Sequence, residues 1–153
     1  MTNERLDYQE EFVEEASEAF PDGRTLCRPM LHISLINGDR QLSCDAIVDP
    51  GADFCFFPMT LMEKLGIDKS STKIDENFQG ATGPIGIVYF YEVTIDLGIA
   101  DPYTAYVGFH NTSLVMLGQV GFFDHFQVAF DRSQKCFAII DNGLLSEGSQ
   151  SMG

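Results

Sequence analysis

Apolar and polar residues alternate with period two along most of this chain, starting near residue 30. Leu31, Ile33 and Leu35 share one face of a predicted strand, and Asn37-Gly38 then supplies hairpin turn chemistry. On the return strand Leu42, Cys44, Ala46 and Val48 line one side, so Asp49 projects from the other side at the strand's end. Residues 54–57 are apolar and predict a buried strand. Pro58 suits the first turn of a short helix over 59–65, whose Leu61, Met62 and Leu65 face the core and which Gly66 ends. The polar stretch 67–77 reads as a loop. Beyond a glycine-rich segment, Ile85, Ile87, Tyr89, Tyr91, Val93, Ile95 and Leu97 alternate along one face of a long strand. Further strands are predicted over 103–109, 114–118, 126–130 and 136–140, with a turn and short helix over 119–126. The unbroken apolar run 114–118 has the character of a strand buried on both faces. Many short strands with one or two short helices predict an all-β, barrel-like domain.

The two ends depart from this pattern. Residues 1–25 are acidic and rich in helix formers up to Pro21-Asp22-Gly23, which predicts a short, weakly amphipathic helix or a disordered acidic arm. Residues 143–153 read as a flexible tail. The expected organisation is therefore an arm over 1–25, a barrel over 26–142 and a tail over 143–153.

Composition narrows the partners. A chain of 153 residues that is 44% hydrophobic makes one ordinary domain with its own core. Its formal net charge of −14 disfavours nucleic acid and anionic membranes, and no apolar run approaches the roughly 20 residues of a membrane span. Cys27, Cys44, Cys55 and Cys136 show no CxxC spacing, so no metal and no cofactor is expected. Without a secretory leader pattern at residue 1, reduced thiols in a cytoplasmic protein are the expectation. His32 reads as a rim residue, His110 as loop and His125 as helix surface.

Two stretches carry candidate chemistry. In the first, Ile47-Val48-Asp49-Pro50-Gly51-Ala52-Asp53, an apolar strand delivers a carboxylate to a turn between two buried segments. Such a group must be hydrogen-bonded, paired or protonated. The same residues suit a plain type II turn with Gly51 at positive φ, and both readings stand. The second stretch, Gly80, Ala81, Thr82, Gly83, Pro84, Ile85 and Gly86, reads as a mobile hairpin tip able to close over a groove, or as an ordinary long loop. It is not a P-loop, since no Lys-Ser/Thr follows, and neither a Gly-x-Ser-x-Gly elbow nor a His-Glu-x-x-His motif occurs.

The order of these pieces over residues 30–140 resembles the retropepsin-like (retroviral-type) aspartic proteases, especially their single-domain bacterial relatives. Its anchors are Ile47-Val48-Asp49-x-Gly51-Ala52-Asp53 and Val115-Met116-Leu117-Gly118. The resemblance implies a small closed acid-protease barrel in which Asp49 is the catalytic residue and Pro50, Gly51, Ala52 and Asp53 complete the active-site loop. Residues 80–86 would then be the flap, with Leu117, Gly118 and Gln119 supporting the loop. It further implies a homodimer, since each chain carries one Asp-x-Gly, acting on a peptide or protein substrate, with Asp45, Asp49 and Asp53 doubled to six carboxylates about the two-fold axis, a repulsive cluster that favours mildly acidic pH. Two departures bear on this. Pro50 stands where the family has Thr or Ser, removing a hydroxyl and an N–H that bond across the dimer axis. Gln119 stands where relatives often have the Arg that pairs with the second Asp of the motif, leaving Arg28 as a candidate substitute. A catalytically weak or inactive peptide-binding or dimerisation module is the alternative, and an unrelated small β-barrel the blander one.

Overall fold

The computed structural model describes residues 3–141. Its strands are β1 (Asn3–Asp7), β2 (Gln9–Val13), β3 (Arg24–Arg28), β4 (Met30–Asn37), β5 (Arg40–Val48), β6 (Phe56–Pro58), β7 (Lys73–Gly80), β8 (Gly83–Asp96), β9 (Tyr103–His110), β10 (Met116–Leu117), β11 (Phe126–Asp131) and β12 (Cys136–Asp141). One short helix, α1 (Met59–Lys64), follows β6. The expected all-β class, with a short helix after Pro58, is found.

The strands that matter for function form one sheet in the order β4-β5-β10-β6-β9-β8-β7, and β8 also pairs with β4. That last pairing closes six strands into a ring, leaving β7 outside as a hairpin partner of β8. The inward positions are those the alternation marks. Leu31, Ile33, Leu35, Ala46 and Val48 are buried, and they meet Val93, Ile95, Val107, Phe109 and Leu117 in the main core. Gly66 takes φ +70° to end the helix, which packs Met62 and Leu65 into that core.

A second, smaller core lies under the hairpin. Ala52, Phe56, Val88 and Phe90 are buried there, with Phe54, Phe78, Ile85 and Met116 packed against them. Its existence corrects the reading of β8 as one-faced. Val88 and Phe90 point to this second core, whereas Val93, Ile95 and Leu97 point to the first. Gly86, at φ +100°, opposes Phe78 beside register shifts in the β7–β8 ladder, and this irregularity puts Ile85 on the same side as Val88. Ile87 is left half exposed.

Three other expectations are overturned. Among the described residues, 3–25 hold no helix and form no loose arm: β1 pairs along β12, and β2 forms a hairpin with β3. Leu6 and Tyr8 pack on the main core, the Tyr8 N–H donates to the Lys135 carbonyl, and Lys135 reaches Glu10 at 2.6 Å. The polar stretch 67–77 is not all loop, because β7 begins at Lys73. Residues 119–125 form hydrogen-bonded turns rather than a helix. The tail assigned to 143–153 lies outside the described residues.

Candidate active site

Strand β5 carries the chain outward to Asp49, whose neighbour Val48 is sealed in the core. The short strand β10 lies between β5, which it pairs in parallel, and β6, which it pairs antiparallel. Through it the Leu117 carbonyl accepts the Asp49 N–H at 2.9 Å, so the second anchor of the sequence rests directly against the first.

The turn after Asp49 is tied by its own carboxylate. Oδ1 accepts the Gly51 N–H at 2.9 Å, and the Ala52 N–H returns to the Asp49 carbonyl at 3.2 Å. This corrects the type II expectation. Gly51 is not among the positive-φ glycines, and the aspartate side chain, not a left-handed glycine, shapes the turn. Its Cβ-less carbon still matters, since a methyl there would lie 3.2 Å from Asp49 Oδ1.

Gln119 clamps the loop from the other side. Its Nε2 donates to the Pro50 carbonyl at 2.7 Å and its backbone N–H to Ala52 at 2.8 Å, while the Val120 N–H reaches the Asp53 carbonyl at 2.9 Å. Gly118 makes this approach possible: a Cβ there would collide with the Phe54 carbonyl and sit 2.5 Å from that of Ala52. Beneath, the Gly118 N–H points at Cys55 Sγ, a fully buried thiol whose pKa burial pushes up to about 12. Such a thiol is a packing group and no nucleophile.

A cleft of about 290 Å³ opens over this loop. Asp49, Gly51, Ala52 and Asp53 form one side, and Gly80, Ala81, Thr82 and Ile85 of the β7–β8 hairpin reach in from the other. Phe56, Met116 and His110 complete the wall. The structure places residues of the loop and of the hairpin tip around the same cleft. Gly83, Pro84 and Gly86 belong to the hairpin, and Pro50 to the loop, without lining the cleft; Leu117, Gly118 and Gln119 act from behind.

Among the residues not foreseen, Met116 sat inside the quoted second anchor, and Phe56 inside the apolar run 54–57. His110 is the last residue of β9 and not loop. Asp45 does not join the site, because it is spent in a 2.8 Å cross-strand pair with the exposed His32. Nor does Arg28 replace the missing arginine: it ends β3 opposite Gln9 and makes no ion pair with Asp53 among the described residues. Among the described residues no group of three or more His, Cys, Asp or Glu is placed to hold a metal ion, and no helix is long and apolar enough to cross a membrane.

Comparison with known proteins agrees with this geometry. No curated protein matches the chain. Its fold is similar to that of a retropepsin-like aspartic protease from Rickettsia conorii, at TM-score 0.54 and 13% identity over 91% of this chain and 95% of that one. The sequence model of the aspartyl protease family matches residues 34–119, a stretch that runs from β4 through Asp49 and the hairpin tip to Gln119. The chain belongs to the aspartyl protease family, and its fold is retropepsin-like.

Proposed function

We propose that the protein is an aspartic endopeptidase that works as a homodimer, each chain contributing Asp49. The observation that carries the reading is the cleft that gathers Asp49 and the tip of the β7–β8 hairpin, with apolar walls suited to an extended peptide. Within one chain, one oxygen of the carboxylate accepts the Gly51 N–H. A second copy supplies the acid that shares a proton with it. Two carboxylates a few ångströms apart do not both ionise cheaply, so they hold one proton between them. The ionised member takes a proton from water as the oxygen attacks the peptide carbonyl. The protonated member hydrogen-bonds the developing oxyanion, and a proton then passes to the departing nitrogen. The Gly51 N–H keeps the carboxylate in place while this happens, and the hairpin acts as the flap that shuts out bulk water while the attacking water stays between the acids.

With Asp45 removed from the site, a dimer gathers two copies of Asp49 and two of Asp53. That is still a repulsive group unless partly protonated, which favours activity between about pH 4 and 6. Pro50 supports the rival reading, a weak or inactive peptide-binding module, because the loop lacks a side-chain donor at that position.

The test is cleavage of a peptide library between about pH 4 and 6. Asp49→Asn should lower kcat/KM by about a thousandfold or more, leaving Asp45→Asn near the parent. Specific activity should rise with protein concentration, and Pro50→Thr should tighten the dimer by about tenfold. Cleavage indifferent to Asp49 would sink the proposal. A parent that neither dimerises nor cleaves, beside a Pro50→Thr variant that does both, would establish the binding-module reading.

A further inference from the structure

Along with Phe56 and Met116, His110 completes the cleft wall. Its backbone pairs with Pro58 at the end of the parallel β6–β9 ladder, and its ring stands edge-on to Phe56, centroids 5.3 Å apart and planes at 89°. That contact fixes the imidazole against a buried aromatic at the cleft surface. The ring nitrogens have no hydrogen-bond or ion-pair partner among the described residues, although His32 and His125 each sit beside an aspartate. The histidine that lines the cleft is thus the one that the fold leaves unpaired.

The charges around it are one-sided. From the loop, Asp49 and Asp53 face the cleft; from the hairpin come Gly80, Ala81, Thr82 and Ile85, and from β6 and β10 come Phe56 and Met116. Among the described residues none that lines the cleft is Lys or Arg, so His110 is the one lining side chain there able to become a cation.

Resting on the peptidase reading, we propose that His110 is a specificity-determining residue: its imidazole hydrogen-bonds a polar side chain of the bound peptide, and prefers a carboxylate there in mild acid. Partial burial lowers the pKa of His110 from its ordinary value, which keeps the ring neutral near neutral pH. A neutral imidazole serves an amide as well as a carboxylate. Once protonated, it offers a positive charge facing Asp49 and Asp53, the one such charge among the described lining residues, and a glutamate side chain gains over its amide. Glutamate itself stays ionised down to near pH 4.3, so the preference should grow as the pH falls below the ordinary histidine value of about 6.5 and last until the glutamate takes up its proton.

The experiment uses the full chain and peptide pairs that differ only by Glu against Gln, scanned position by position along a cleaved sequence. At one position the Glu/Gln ratio of kcat/KM should rise about fivefold from pH 7 to pH 5. His110→Gln keeps hydrogen bonding and loses titration, and His110→Phe keeps the packing on Phe56; both should leave the ratio flat. A ratio independent of pH at every position, or a pH dependence that survives in both variants, overturns the proposal. Binding of the same pairs to Asp49→Asn, with and without His110→Gln, is read by fluorescence anisotropy. A His110-dependent preference in binding without cleavage by the parent supports the specificity and rejects the peptidase. Cleavage without the preference rejects the specificity alone.

Discussion

The loop 49–53 and the hairpin tip 80–83 face one another across the same cleft and are held in opposite ways. The loop is tied to the body of the protein at nearly every residue: Asp49 to Leu117, Pro50 and Ala52 to Gln119, Asp53 to Val120. Residues 80–83 have no hydrogen bond to anything outside their own hairpin among the described residues. What joins the hairpin to the body near the cleft is apolar contact. Phe78 lies 5.9 Å from Phe54 and 5.6 Å from Phe56, both in edge-to-face pairs. Directional bonds fix a position, whereas apolar contacts permit sliding and reopening at small cost. Under the function proposed above, an acid that has to meet its counterpart closely belongs on the first kind of support, and a cover that has to admit a peptide belongs on the second.

The sharpest way to break that contrast is on the loop side. Gly118→Ala drives a methyl into the Phe54 and Ala52 carbonyls, which are backbone and cannot swing away. It should cost about 3 kcal/mol or more, seen as a large fall in Tm, and should abolish any activity with it. A variant with the parent's Tm would show that the close approach is not needed. On the hairpin side, Phe78→Ala removes a half-buried ring from the second core. It should cost about 2 kcal/mol, less than full burial would imply, and raise KM more than it lowers kcat. Equal losses in both variants would erase the distinction between a fixed support and a sliding one.

The sequence made the loop side more legible than the hairpin or the ends. Period-two patterning placed β4 and β5, and the Val48/Asp49 alternation correctly put one side chain in the core and its neighbour at the surface. Loop chemistry was legible where it depended on neighbours in sequence. It failed at Gly51, where a side-chain bond from two residues back replaces the positive φ that Pro-Gly suggested. Strands β1 and β7 were missed for one reason. Both are charged edge strands that owe their form to hydrogen bonding with β12 and β8, and such pairing leaves little hydrophobic signal of its own. β2 adds to this, since four of its five residues are exposed and its acidic composition mimics a helix. His110 was hidden by distance along the chain, because only the parallel pairing of β6 with β9 brings it onto Phe56.

The central claim is that one working site needs two chains. Isothermal titration of the full-length protein at about pH 5 with a peptide carrying a secondary alcohol in place of the scissile amide reads it directly. The hydroxyl imitates the tetrahedral centre and should lie between two Asp49 carboxylates, giving one peptide bound for every two chains and no binding by Asp49→Asn. One peptide per chain, with an affinity that ignores Asp49, would contradict the account.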